Sequence, residues 1–366
     1  MENENDGYGL SAEKTSKQIS PPRIDYLPRI PKNYWPKIGL IGTGGISDFH
    51  LKNYKAIGLN VVAFADHTAE KAKAMRDKYY PDAQVYEDYR KIFERDDIEV
   101  VDITPHPQDR LPVLREALHA KKHVLSQKPF VLDIQEGMEL IKLARKNGVK
   151  LAINQNGRWA PHFSYMREAI KSGLIGRPVS VDFSLQWDQT WIKGLAGFEK
   201  IHHMVLYDFA IHWFDIASSF MEGQQVKDVY ASAVRFDEQL YLPPALASCI
   251  INYEQAQVRM AFNAHTTLGE EDVTSIVGTK GTLRSRGPGL NKQPMMEIYT
   301  ETGEVKVPLE GSWFENGFQG TMGELLCAIE ENREPGNGAE SNLKSLQLCY
   351  AALKSADTGK VVSIVT

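Results

Sequence analysis

With 366 residues, 42% of them hydrophobic and 24% charged, the chain has the composition of a globular protein of about two domains. A formal net charge of −5 supplies no basic footprint for nucleic acid or for an anionic membrane surface. Three cysteines, Cys249, Cys327 and Cys349, lack metal-ligand spacing, so idle thiols in a reducing compartment are expected.

The N-terminus, MENENDGYGL, lacks the basic start and apolar core of a secretory signal. No uninterrupted apolar run approaches the roughly twenty residues of a membrane helix, so a cytoplasmic protein is expected. Residues 1–36 are polar and then punctuated by Pro21, Pro22, Pro28, Pro31 and Pro36. They read as an extended arm that is either disordered or laid along its own domain or a neighbouring subunit.

From Lys37 the pattern becomes regular. KIGLI predicts a buried strand, Gly42-Thr43-Gly44-Gly45-Ile46-Ser47 a tight turn, and the following residues a helix ending near Gly58. Gly42 and Gly44 match the first two glycines of a dinucleotide fingerprint, where the backbone must approach a pyrophosphate closely. LNVVAFAD then predicts a strand ending in Asp66, placed to accept hydrogen bonds from an adenosine ribose. A carboxylate there favours NAD over NADP, because it repels a 2′-phosphate. The bland alternative makes Asp66 a helix N-cap, with Thr68 as rival.

Alternation continues with helices over 69–79, 87–95, 108–120 and 133–147 and strands over 98–104, 123–125 and 149–154. Such alternation over 37–155 implies a Rossmann-type doubly wound parallel sheet, with ligands at the carboxyl ends of its strands. Two of those ends carry polar chemistry: Thr104-Pro105-His106-Pro107, and Gln127-Lys128-Pro129. Lys128, held extended by the following proline, is either an ammonium aimed at a substrate oxygen or an ordinary surface lysine.

Beyond residue 155 the texture changes. After a helix over 161–172, strand-like runs at 179–187, 226–236, 246–253, 256–264, 272–277 and 295–300 predict an α+β domain over 156–366. Its sheet is expected to be large, open and mainly antiparallel, with one face covered by helices and the other free for oligomer contacts. Helices over 317–332 and 340–356 are expected to pack back toward the first domain. Within this half, LYDFAIHWFDIASSF (206–220) has apolar residues at helical spacing and a polar stripe of Asp208, His212, Asp215 and Ser219. Two carboxylates and an imidazole on a mostly apolar helix are either an active-site edge or a satisfied core network.

Together these motifs resemble the Gfo/Idh/MocA oxidoreductases over residues 37–366. Gln127-Lys128-Pro129 stands where that family has Glu-Lys-Pro, and Asp208-Phe-Ala-Ile-His212 is similar to its Asp-x-x-x-His pair. Arg158-Trp-Ala-Pro161 resembles its arginine-aromatic turn. The departures are Gln127, Ser47 in place of a third small residue, and Asp109 where many members have histidine. The resemblance implies NAD held by Gly42, Thr43, Gly44, Gly45, Ile46, Asp66, His67, Thr104, Pro105, His106, Gln127, Lys128, Asn156 and Arg158. It implies a homo-oligomer and a small polyol, sugar, glycoside or inositol as substrate.

Oxidising a secondary alcohol requires a base for the hydroxyl proton as hydride leaves the same carbon. His212 is expected as that base, Asp208 as its orienting carboxylate, and Lys128 as the donor to the reacting oxygen. Trp187, Trp191, His202, His203, Tyr207 and Asp215 are candidate substrate contacts, with core packing the alternative for the tryptophans. No metal is expected, since His202, His203, Asp208 and His212 match no common zinc spacing. Rival functions are an NAD-bound sensor without turnover and a redox-assisted glycosidase that regenerates its own NAD.

Overall fold

The computed structural model describes residues 17–364; the first sixteen residues of the expected arm lie outside them. The glycine turn follows β1 (Lys37–Ile41) and leads into α1 (Gly45–Ala56). Next come β2 (Asn60–Ala65), α2 (Ala69–Tyr79), β3 (Gln84–Tyr86), α3 (Arg90–Phe93), β4 (Ile98–Ile103) and α4 (Pro107–His119). β5 (His123–Ser126), α5 (Ile134–Asn147) and β6 (Leu151–Ile153) complete a parallel six-stranded sheet ordered β3-β2-β1-β4-β5-β6. Local chemistry sets these boundaries: Asp133 caps α5 by accepting from the amides of Gln135 and Glu136, and left-handed Gly148 ends it. Short β3 carries no alternation and was not predicted, and the helix expected over 87–95 shrinks to the single turn of α3.

The chain continues through a 3-10 turn at Asn156–Trp159 into α6 (Pro161–Lys171) and β7 (Pro178–Gln186). After the short α7 (Ala196–Glu199), the helix expected over 206–220 divides. Val205–Phe209 form a π-helical turn, and α8 proper runs from Ile211 to Phe220. Strands β8 (Val226–Val234), β9 (Leu246–Tyr253), β10 (Gln257–Asn263), β11 (Glu271–Gly278), β12 (Gly281–Gly287), β13 (Met295–Thr300) and β14 (Gly303–Pro308) follow. Then come α9 (Trp313–Glu330), α10 (Ala339–Thr358) and β15 (Val362–Ser363).

The second sheet has nine strands in the order β14-β13-β12-β11-β7-β10-β9-β8-β15. It is antiparallel except where β10 lies parallel to β7. Helices cover one face, packing Trp213, Ile216, Phe220 and Phe163 against Val181, Phe183, Met260 and Ile276. The other face leaves Tyr230, Val234 and Val277 exposed, and carries the Arg259–Asp182 ion pair. Ile211, at the start of α8, instead joins the core of the parallel sheet beside Leu343 and Leu346 of α10. α8 therefore stands where the two cores meet. α9 packs back on α1, with Phe314 and Phe318 against Phe49.

Residues 17–36 lie along their own chain. Ile19 and Lys17 exchange backbone hydrogen bonds with Glu304 of β14, and Tyr26 bonds Ser164 and the Glu310 amide. The Glu330 carboxylate receives the amides of Lys32, Asn33 and Tyr34. Between these anchors the arm rides on α9 at Gly323, where an added Cβ would stand 2.2 Å from the Arg29 carbonyl oxygen. Gly323→Ala is therefore expected to lift the arm and destabilise the fold by about 1–3 kcal/mol. Urea unfolding, with proteolysis at residues 23–34 as a local probe, checks this.

Candidate active site

At the switch point between β1 and β4, four strand ends lie side by side. Thr104 donates its amide to the Ile41 carbonyl and its hydroxyl to the Gly42 carbonyl. Gln127 donates its amide to Ile103, and Asn154 to Ser126. Gly42 has φ +89°, and a Cβ there would meet the Thr104 hydroxyl at 2.8 Å, so no other residue fits. Gly44 and Gly45 face open space, and the N-terminus of α1 has no side-chain cap. Its free amides and dipole form an anion cradle suited to a pyrophosphate. Buried Ser47 donates its hydroxyl to Gly44, closing the turn on itself rather than loosening it.

Asp66 ends β2 within reach of this cradle. It accepts from the amide and hydroxyl of Thr43 and from the amide of Thr68. Burial works to raise its pKa, but these hydrogen bonds outweigh it and hold the carboxyl below its usual value. Thr43 fills both positions of Oδ2, and the second position of Oδ1, where exposed His67 Nδ1 stands 3.3 Å away, is the one a ribose hydroxyl would take. His67 and His106 are exposed beside the crevice.

Gln127 lies inside a buried network. Its side-chain carbonyl accepts the Lys128 amide, and its NH2 faces His50 Nε2 at 3.4 Å. Asn154 also points its amide nitrogen at His50 Nε2, 2.9 Å away. Two donors at Nε2 assign the imidazole proton to Nδ1, which bonds Asp102 at 2.7 Å, while Tyr54 donates to the same oxygen. His50 and Asp102 have no exposed surface. Sequence reading missed this chain, whose only local signal is a histidine on the buried face of α1.

Lys128 emerges from this support across a cis peptide bond to Pro129. Arg110, buried in the first turn of α4, donates to the carbonyls of Lys128 and Pro129. The Lys128 ammonium bonds the Asp208 carbonyl at 2.8 Å and the Asp208 carboxylate at 3.0 Å. This corrects the expected pairing of Asp208 with His212. In the π-helical turn the Ala210 amide reaches back five residues to Val205, so the 3.6-residue spacing behind the predicted stripe fails between Asp208 and His212.

His212 sits half-buried with its ring edge-on to Trp313, centroids 5.7 Å apart. Desolvation, aided by the Lys128 ammonium, pushes its pKa down to about 3, so the ring is neutral near pH 7. Its Nδ1 is buried without a partner, which leaves Nε2 for chemistry. Trp313 went unnoticed in the sequence, where the helix was expected only from residue 317; α9 in fact begins at Trp313. Its indole donates to Asn156 Oδ1 at 3.2 Å.

Other expected contacts are redirected. Asp215 has no exposed surface and is held by the Arg158 guanidinium, with Asn342 and Ser345 also donating. Asp215 is therefore no substrate ligand. Arg158 and the Asn156 carbonyl are spent on internal partners instead of a cofactor, because the 3-10 turn tucks both inward. Trp187 is buried against Phe209, Trp213 and Phe262, a core residue. Trp191 stays exposed on Phe198, and Tyr207 stacks on Tyr350. His202 and His203 turn to Asp357 of α10. A cavity of about 970 Å³ lies between the arm, α6 and α10. Lys128, Asp208 and His212 do not line it, so its size does not mark the chemistry.

Comparison with known proteins agrees with this geometry. Residues 36–155 match a family described as "Oxidoreductase family, NAD-binding Rossmann fold", and residues 163–284 match the GFO/IDH/MocA C-terminal domain. The chain is 23% identical to D-apiose dehydrogenase of Paraburkholderia graminis, over 90% of this chain and 89% of that protein. It is 21% identical to myo-inositol 2-dehydrogenase of Thermotoga maritima, over 90% and 98%. Among solved structures, an Agrobacterium radiobacter oxidoreductase in complex with NAD+, L-tartaric acid and magnesium shares its fold. The TM-score is 0.80 at 21% identity, covering 90% of this chain and 98% of that one.

Two expectations follow. Asp215→Ala leaves the Arg158 charge buried and unpaired, which is expected to cost about 3–5 kcal/mol in a denaturant titration. His162, buried with both ring nitrogens unpartnered, is pushed from 6.5 down to about 3 by desolvation. Between those values only the unfolded chain takes up its proton, so stability is intact above about pH 6.5 and falls as pH drops toward about 3. Thermal unfolding across that range should show a shallower slope for His162→Gln than for the wild type.

Proposed function

The chain belongs to the GFO/IDH/MocA oxidoreductase family and carries its NAD-binding Rossmann domain; on that footing we propose that it oxidises a secondary hydroxyl of a cyclic polyol, sugar or glycoside. The observation carrying this reading is the meeting of a Lys128 ammonium, an Asp208 carboxylate and a neutral His212 beside a glycine-lined anion cradle. Relatives named for D-apiose and for myo-inositol support the substrate class. When bound, NAD supplies the acceptor for hydride.

The residues divide the remaining work. An ammonium has three protons, and Lys128 gives two of them to the carbonyl and carboxylate of Asp208. The third is free for the substrate oxygen, where it stabilises the negative charge that develops as hydride leaves. Asp208 is thus a positioning carboxylate that fixes Lys128 and balances its charge. His212 Nε2 takes the hydroxyl proton; the ring begins neutral, as a base must. Half-buried Tyr207, next to Asp208 in the chain, is the aromatic side chain we assign to sugar C–H surfaces. Thr43, Gly44, Gly45 and Ile46 would hold the pyrophosphate and Asp66 the adenosine ribose.

No helix among the described residues is long and apolar enough to cross a membrane. Three free, buried cysteines suit the reducing cytoplasm in which we place the enzyme. The open face of the nine-stranded sheet is the surface we assign to a homo-oligomer.

A panel of inositols, free sugars and glucosides with a reactive 3-hydroxyl, assayed in parallel for NADH formation and free sugar release, tests the reading. NADH formation without glycoside cleavage is expected. Sugar release without net NADH would replace it with redox-assisted hydrolysis, and neither product with a sensor. On the active substrate, His212→Ala is expected to lower kcat by about 10²–10⁴-fold and Lys128→Met by about 10²–10³-fold. NAD affinity, followed by fluorescence titration, should hold within about threefold.

A further inference from the structure

His202 and His203 are adjacent in sequence yet present the same ring atom to one acceptor. Their Nε2 atoms lie 2.9 and 2.8 Å from a single Asp357 carboxylate oxygen. The three ligand atoms fall within 4.8 Å of one another. We propose that His202, His203 and Asp357 form a binding site for a divalent transition ion of the zinc type, separate from the dehydrogenase centre.

The donor set is right for such an ion: two imidazoles and a carboxylate leave a fourth position for water. With metal–ligand distances of about 2.0–2.2 Å and tetrahedral angles, nitrogen and oxygen ligands stand about 3.3 Å apart. The two histidine–aspartate separations need open by only about 0.5 Å to admit the ion. Access is direct, because the His202 side chain is 77% exposed and that of Asp357 50%.

His203, by contrast, is fixed. Its side chain is only 9% exposed, and its backbone carbonyl accepts the Tyr207 amide at the start of the π-helical turn. Its Nδ1 is buried with no partner. Binding a metal at Nε2 moves the ring proton to Nδ1, and this breaks no existing hydrogen bond there. Asp357 sits in the last turn of α10, which ends at Gly359. The end of α10 and the turn that precedes Val205 thus aim their ligands at one point. The ion would tie the segment leading into Asp208 to α10.

The test uses the full chain, freed of any purification tag, stripped with chelator and titrated with Co2+ as a spectroscopic probe. One equivalent per chain is expected, with visible d–d absorption of a four- or five-coordinate site, displaced by Zn2+. His202→Ala and Asp357→Asn, both at exposed side chains, should each weaken binding by about tenfold or more. Absence of a stoichiometric site in the wild type overturns the proposal, as does a loss of less than tenfold in either variant. The readout is metal binding itself, so it stands or falls independently of dehydrogenase activity.

Discussion

A carboxylate with no exposed surface must be paired or hydrogen-bonded, and Asp215 is answered by a cation, Arg158. That pair does more than neutralise two charges. Arg158 also donates to the Gly336 carbonyl, and its own carbonyl receives Arg167. Asn342 and Ser345 bring α10 to the same carboxylate. Two distant regions of the chain, 158–167 and 336–345, are therefore locked around one point on α8. His212 lies three residues earlier on that helix, so its position is set by a charge pair that never meets the substrate. Trp313, packed against His212, is seated by the neighbouring Gly157, where a Cβ would stand 2.8 Å from its ring.

How much of this was legible in the sequence depended on distance along the chain. The glycine turn, the βα alternation and the Lys128-Pro129 turn are local patterns, and the structure places them at the strand ends where such patterns belong. The Asp208 and His212 pair was visible as spacing, but spacing assumes a regular helix. One π-helical turn redirected Asp208 to Lys128 without changing a residue. Strands β12 and β14 escaped notice because GTLRSRG and GEVKVP carry charges and glycines on a sheet whose outer face is open. Asp215, Trp187, His202 and His203 were assigned by type and neighbourhood alone. Their partners lie far away, in the case of His203 across 154 positions, and only the fold reveals them.

The substitution of Gln127 for the family's glutamate has a physical reading in the same terms. An amide can give its NH2 to His50 Nε2 and its carbonyl to the Lys128 backbone at once. A carboxylate could only accept, and would face the His50 Nε2 lone pair with no proton to share. The glutamine keeps the interior network neutral apart from Asp102, and leaves the charge balance of Lys128 to Asp208. Support for the lysine is thus divided: shape from the Rossmann interior, charge from the helix opposite.

The arm crosses the outer edge of β14, and there Lys17 and Ile19 occupy the backbone groups of Glu304. An edge strand with free amides and carbonyls is a template for any passing extended segment. The chain covers part of that template with its own arm. The arm therefore also guards this edge, shielding the Glu304 backbone of β14 from edge-to-edge pairing.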